Sequence, residues 1–187
     1  MISVIRTSTG RDLTDIASVQ EILGAPSTDE PLLLKLIGRA SRWAETYVGY
    51  PLAVQGYQET VAAFGGPNLL LSRTPIRAIT RVFDSSATSG ATEYATTDIR
   101  IENADAGVVS FADNRLIGWT APQVWDVADY IPPKAEYRRW LVEYEAGYVL
   151  LGTTSTVGGT TSTGRTLPED IEQAVIEKVQ FLYGGQG

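Results

Sequence analysis

Acidic side chains are the residues of this sequence whose types and spacing come nearest to a catalytic site. Glu143 and Glu145 stand two positions apart, and Asp126 and Asp129 stand three apart. Paired carboxylates carry out glycoside hydrolysis, in which one group acts as an acid and the other as a base or nucleophile. A sugar-active enzyme is therefore the one enzymatic interpretation that the residues leave open.

The context of both pairs favours a structural interpretation. Glu143 and Glu145 alternate with apolar or small residues in VEYEA, which is typical of the solvent-facing side of a half-buried strand. Asp126 and Asp129 fall in a proline-flanked stretch, where Asp is an ordinary turn residue. We therefore expect no catalytic residues.

A metal site is the second chemical possibility. Glu102, Asp105 and Asp113 surround a predicted hairpin over residues 98–111, but their spacing does not match a calcium-binding loop. The sequence has no Cys and no His, which removes thiolate and imidazole ligands as well as Ser–His–Asp and Cys–His catalysis. Phosphate-binding glycine motifs are also absent. We expect neither a metal nor a cofactor.

The net charge limits the partners. The 187 residues carry 15 basic and 22 acidic side chains, a formal charge of −7. Duplex-binding surfaces need clustered Lys and Arg, so sequence-specific DNA binding is not expected, although an acidic wall suits a passage that must not hold DNA. No run approaches the roughly 18 apolar residues of a membrane span, so no membrane partner is expected.

Aromatic and arginine residues offer candidate interfaces. Trp119 and Trp125 lie in loop-like sequence, where large aromatic side chains serve either as core lids or as interface anchors. Arg73, Arg77 and Arg81 form a basic ladder, which is either a solvated strand edge or a surface that pairs with acids of a neighbouring subunit. The row of Glu143 and Glu145 would supply those acids.

The elements that would position these residues begin and end with helices. A short helix is predicted over residues 18–23 and a long one to Gly49, preceded by a capping box of Ser27 and Glu30. The last helix is predicted from Pro168 to Tyr183, with acids in its first turn. Apolar spacings of three and four predict a shared helix-packing core of Leu33, Leu36, Ile37, Ala40, Trp43, Tyr47, Ile171, Val175 and Val179.

The segment between the helices is predicted to be β-rich, from residue 54 to 148. Short β-branched or aromatic runs bounded by turn residues indicate strands at 54–63, 68–72, 76–83, 98–102, 107–111 and 140–146. The sequence thus predicts one α+β domain over residues 1–187, with helical parts at 14–50 and 167–183 around a small antiparallel middle. A Thr/Ser/Gly-rich strap at 153–164 is predicted to be flexible.

Five stretches, in order, resemble the head–tail connector (adaptor) proteins of long-tailed bacteriophages and gene transfer agents. They are SVQEILG, STDEPLLLKLIGRASRWAETYVGYPL (27–52), LLLSRTPIRAITRVF (69–83), VEYEAGY (142–148) and LPEDIEQAVIEKVQFLY (167–183). The resemblance covers most of the chain and is weakest over residues 84–140. The strap is longer than the family pattern leads us to expect.

The resemblance implies a structural virion protein and not an enzyme. It implies a ring, of twelve subunits in this family, between the portal protein and a stopper or tail-terminating protein, through which genome DNA passes. The chain would be assembled in the host cytoplasm and reside at the head–tail interface of the virion. The end of the last helix, with Phe181 and Tyr183, would contribute to the interface. Another stopper or tail component is the alternative within this class.

The strap then acquires a hypothetical role. A flexible linker of twelve residues spans about 17–21 Å root-mean-square. That reach would let the last helix shift when a subunit docks on the portal, whereas the alternative is a surface loop with no role in docking.

Overall fold

A computed structural model describes residues 1–8, 10–62, 68–84, 92–112, 139–151, 155–157, 160–162 and 164–185. Contacts divide the chain into two compact units. Unit 1 comprises Met1–Arg6 and Gly56–Ala146, and unit 2 comprises Thr7–Gln55 and Gly147–Gly187. The α-helices lie in unit 2 and the larger antiparallel sheets in unit 1, so the predicted α+β class is confirmed. The single-domain organisation stays a prediction.

Unit 2 is built on three helices: α1 (Ile16–Leu23), α2 (Glu30–Val48) and α3 (Glu169–Gly184). The Asp15 carboxylate caps α1 by accepting the backbone N–H of Ser18 at 2.9 Å. Gly49 ends α2 in the left-handed conformation. The predicted capping box is wrong, because Ser27–Asp29 form a 3₁₀ turn and Ser27 therefore does not occupy the N-cap position.

The apolar stripe of α2 is the centre of the core of unit 2. α1 and α3 both pack on α2, and the three helices share one apolar cluster. Ile171 of α3 is partly buried against that cluster. Of the residues predicted for this core, the structure buries Leu33, Leu36, Ile37, Ala40, Val175 and Val179.

Trp43 and Tyr47 are corrections to the predicted core, because they are 46% and 84% exposed. Trp43 and Tyr47 follow the buried Leu36 by seven and eleven residues, which places both within about 20° of it around the helix axis. A spacing of three or four residues therefore gave the correct side of the helix but not how far along the helix that side is covered.

Unit 1 consists of two antiparallel sheets and an apolar core of its own. The strands are β1 (Ile2–Arg6), β2 (Gln55–Ala62), β3 (Asn68–Leu70), β4 (Ile76–Asp84), β5 (Thr92–Tyr94), β6 (Ile99–Asn103), β7 (Val108–Phe111) and β8 (Arg139–Ala146). One sheet has the order β1-β2-β8-β4-β5 and the other the order β3-β7-β6. The β6–β7 hairpin agrees with the predicted one, whereas β1 and β5 were not anticipated.

Aromatic side chains fill the centre of unit 1. Trp140 of β8 is fully buried, and its ring lies 5.0 Å from that of Phe111 and 5.4 Å from that of Tyr94, measured between centroids. The rings are tilted relative to one another, as aromatic quadrupoles favour. Tyr144, farther along β8 on the same face of the strand, is also fully buried.

A polar network surrounds the hydroxyl of Tyr144. This hydroxyl donates to Glu59 Oε2 at 2.8 Å and accepts the backbone N–H of Arg73 at 3.2 Å. Glu59 is itself buried and also accepts the backbone N–H and the hydroxyl of Ser72. The network therefore supplies hydrogen bonds to a carboxylate that burial alone would destabilise.

The strap contains more regular structure than the sequence predicted. Its described residues include β9 (Ser155–Val157) and β10 (Thr160–Ser162), which pair antiparallel with Thr160 opposite Val157. β-branched Thr and Val suit paired strands, whereas the prediction relied on the Gly and Ser content of the same segment. Movement of the strap stays a prediction.

Gly147 allows a close backbone approach where the chain re-enters unit 2. Its φ is 114°, and a Cβ there would lie 2.7 Å from the carbonyl oxygen of Ala53. The next residue, Tyr148, donates its N–H to Leu52 O at 2.8 Å and accepts the N–H of Val54 at 3.1 Å. Only glycine tolerates both the conformation and the contact.

Gly147→Ala should consequently lower the free energy of unfolding by about 2 kcal/mol or more. Urea unfolding measures this loss. Gly38→Ala is the matched control, because Gly38 lies inside α2 and a Cβ added there would have its nearest neighbouring atom 3.8 Å away. This substitution should be neutral or stabilising by about 0.5–1 kcal/mol. Equal effects of the two substitutions would contradict the argument.

The Tyr144 network predicts a loss of stability at high pH. Burial, followed by the hydrogen bond to Glu59, raises the pKa of Tyr144 above its ordinary value of 10. Above about pH 10 the unfolded chain loses this proton while the folded chain keeps it, so stability falls by up to about 1.4 kcal/mol per pH unit.

Tyr144→Phe removes that dependence. At pH 8 the variant should be less stable than the wild type by about 1–3 kcal/mol, and the difference should narrow above about pH 10. Urea unfolding between about pH 8 and pH 11 measures it, with the exposed Tyr47→Phe as control. A difference that stays constant over that whole range would refute the role of Tyr144.

Candidate functional site

The described residues provide no site for metal chemistry. They contain no group of three His, Cys, Asp or Glu side chains that could hold a metal ion. Glu102 accepts the hydroxyl of Ser110 at 2.5 Å, Asp105 lies exposed in a turn, and Asp113 falls outside the described residues. Among the described residues, no helix combines the length and the apolar character of a membrane span.

The carboxylates of β8 have partners within their own chain. Glu145 was predicted to face solvent, but only 4% of the residue is exposed, and its carboxylate forms an ion pair with Arg6 of β1. Glu143 accepts Nε2 of Gln58 at 2.9 Å. The prediction for Glu145 is wrong because segments distant in sequence, Arg6 among them, surround this carboxylate on the central strand of the five-stranded sheet. The second pair, Asp126 and Asp129, lies outside the described residues.

The residues of the arginine ladder likewise have interactions within the chain. Arg81 stands opposite Glu143 in the β4–β8 register, and its Nε lies 2.9 Å from Glu93 Oε1. Its guanidinium also lies over the ring of Phe83. The hydrogen bond to Glu93 raises the pKa of Arg81. Arg73 and Arg77 also interact within the chain, so the pairing of this ladder with a neighbouring subunit stays a prediction.

Unit 2 exposes an aromatic patch, which we define as Trp43, Tyr47, Phe181 and Lys178. Phe181 is 71% exposed, and the rings of Trp43 and Tyr47 stack at 6.2 Å between centroids. Lys178 Nζ lies 5.2 Å from the centroid of Trp43 and 4.9 Å from that of Phe181. A cation shared by two rings fixes the orientation of three side chains at the surface.

The end of α3 is held beside the start of α2. The hydroxyl of Tyr183 donates to Asp29 Oδ2 at 2.5 Å, and this bond raises the pKa of Tyr183. Tyr183 is partly buried and has a partner within unit 2, whereas Phe181 projects outward. Of the two residues predicted for the interface at this end, Phe181 is the one that the structure leaves exposed.

A second surface of unit 2 is the α1–α3 groove, of about 530 Å³. Ile22 is about half exposed, whereas Leu167 and Ile176 are almost fully buried, so the exposed lining of the groove is largely polar. Three of its lining residues are acidic. The lining residues are Ser18, Glu21, Ile22, Arg165, Leu167, Glu169, Glu172, Gln173 and Ile176.

Two of the three carboxylates of the groove have no ion-pair partner among the described residues. Glu172 forms an ion pair with Arg165 and accepts the hydroxyl of Thr14, so its charge is neutralised. Glu21 and Glu169 are exposed, and neither forms an ion pair within the described part of the chain. The groove thus combines one exposed apolar side chain, Ile22, with negative charge.

Sequence reasoning named Phe181 of this patch as an interface candidate but missed the rest of the patch and the groove. It assigned Trp43 and Tyr47 to the core. The available signal was the i,i+4 spacing of Trp43 and Tyr47 together with Lys178 and Phe181 at i,i+3. The remaining candidates, Trp119 and Trp125, lie outside the described residues.

The ion pair of Arg6 and Glu145 predicts a measurable penalty. Arg6→Ala leaves a buried carboxylate without its cation and should lower the free energy of unfolding by about 1–3 kcal/mol. This loss is smaller than for a fully buried pair, because the arginine is largely exposed. Adding Glu145→Gln should recover part of that loss, as urea unfolding would show. Arg100→Ala, which breaks an exposed pair, is the control and should cost less than about 1 kcal/mol. A double variant no more stable than Arg6→Ala would contradict the argument.

Comparison with known proteins gives matches in structure alone. No family model matches the sequence, and no curated protein matches it. A chain from the neck of an empty gene transfer agent (GTA) particle, computed with C6 symmetry, is 17% identical with a TM-score of 0.56; the match covers 98% of this chain and 84% of that one. A chain from the neck of a native GTA particle, computed with C12 symmetry, is 18% identical with a TM-score of 0.53; the match covers 98% of this chain and 83% of that one.

A third similar chain comes from the virion of a native gene transfer agent particle, at 19% identity and a TM-score of 0.52, over 98% of this chain and 84% of that one. All three matches extend over nearly the whole sequence. At these identities they demonstrate a shared fold. The resemblance to connector proteins that the sequence motifs predicted is therefore confirmed at the level of the fold.

Proposed function

We propose that this chain is a structural protein of a virion neck, where copies of it form the adaptor ring between the portal and the tail or stopper. The observation that carries the proposal is the fold match over 98% of the chain to proteins in the necks of GTA particles. One of those necks was computed with C12 symmetry, which supports a ring of twelve copies here. The chain would assemble in the host cytoplasm.

The surfaces of unit 2 are compatible with a ring. A closed ring of identical subunits uses a heterologous contact, in which each copy presents two different, complementary surfaces. The aromatic patch and the α1–α3 groove differ in both shape and charge. Exposed aromatic side chains are also frequent anchors of protein interfaces.

The charge of the chain supports a passive role towards DNA. Its net charge of −7 opposes the phosphate contacts on which tight duplex binding depends. A ring with this charge would let genome DNA pass during packaging and ejection without holding it. This role requires no catalytic group and no cofactor.

Native mass spectrometry of the chain, alone and mixed with the portal ring of the same particle, tests the proposal. We expect a complex with about one copy of the chain per portal subunit. An unrelated acidic protein of similar size is the control for non-specific adhesion to the portal. A chain that does not bind the portal at micromolar concentration would overturn the adaptor role.

A further inference from the structure

We infer that, in the proposed ring, the aromatic patch of one copy docks into the α1–α3 groove of the next copy. The inference rests on the proposed ring and specifies which surfaces of the chain form the contact between subunits. Both contacting surfaces then lie in unit 2, and Lys178 is the charged residue at the centre of the interface.

The patch has the composition of an interface anchor. Phe181 and Tyr47 expose most of their surface, although burial of such rings is strongly favourable. Lys178 contacts two rings but forms no ion pair among the residues that the structure describes. A complementary surface must therefore offer an apolar contact together with a carboxylate.

The groove offers both features. Ile22 is 52% exposed and can contact an aromatic ring, whereas Leu167 and Ile176 are almost fully buried. Glu21 and Glu169 also line the groove, and neither has an ion-pair partner among the described residues. Docking would place the ammonium of Lys178 near acids that have no other cation.

The two surfaces lie on different sides of the same helix. Gln173, which lines the groove, and Lys178, in the patch, are five residues apart on α3, which places them about 140° apart around its axis. A copy cannot fill its own groove with a patch on the opposite side of the helix, so the patch that fills it belongs to another molecule, which in the proposed ring is a second copy. Contacts between opposite sides propagate head to tail, as a closed ring requires.

Charge reversal at the two surfaces tests the inference. Lys178→Glu alone should weaken association between subunits at least about tenfold, and the pair Glu21→Lys with Glu169→Lys should do the same. Native mass spectrometry and sedimentation velocity measure assembly, with the portal ring present if the wild type assembles only on it.

Mixing the two variants provides the decisive measurement. The reversed patch of the Lys178→Glu variant matches the reversed groove of the other variant, and the remaining surfaces keep their wild-type charges. Every contact in an alternating ring is then complementary, so the equimolar mixture should assemble with equal numbers of each variant. The distinct masses of the two chains reveal that ratio directly.

Matched controls carry the same charge changes elsewhere. Lys35→Glu lies on the exposed side of α2, away from both surfaces. Glu30→Lys with Asp105→Lys controls for the groove variant, because Glu30, like Glu169, stands in the first turn of a helix and carries the same dipole penalty. Phe181→Ser tests the patch without a charge change, and its exposure means that the fold should be retained.

The outcomes separate the inference from the proposed function. If the wild type binds the portal while the reversed variants assemble as well as their controls, the inference is overturned and the adaptor role stands. Failure of the mixture to assemble, when each variant unfolds like the wild type, also overturns the inference. Failure of the wild type to bind the portal overturns the proposed function instead.

Discussion

Burial of the apolar stripe of α2 is the constraint on which the organisation of the chain depends. α2 has 19 residues, whereas α1 has eight and spans less than half of its length. A second cover is needed, and α3 supplies it from the far end of the sequence. The chain forms Gly56–Ala146 of unit 1 between α2 and α3 and then returns to unit 2 at the close backbone approach of Gly147.

Much of this fold could be predicted from local patterns, and the errors have physical causes. Apolar spacing identified both long helices, because an amphipathic helix repeats its burial pattern from one turn to the next. Strand β1 gave no such signal, since four of its five residues are exposed. Periodicity also could not show how far along α2 its apolar side is covered, which depends on a partner remote in sequence. Trp43 and Tyr47 were misplaced for that reason.

The candidate site was less predictable than the fold. The sequence shows that Glu145 alternates with apolar neighbours, but burial of its carboxylate depends on which strands flank β8 and on Arg6 from the start of the chain. The patch forms only when α2 and α3 bring Trp43 and Lys178 together. Pairings between distant segments decide which charges are neutralised inside a subunit and which remain for a partner. Local sequence patterns do not reveal which charges belong to either group.

The division of the chain into two units has a consequence for its ancestry. The backbone passes between the units after Arg6, after Gln55 and after Ala146. Joining two ready-made genes end to end gives one such passage, so this arrangement did not arise by simple fusion. An inserted, deleted or exchanged segment that crosses any of these points alters both units together.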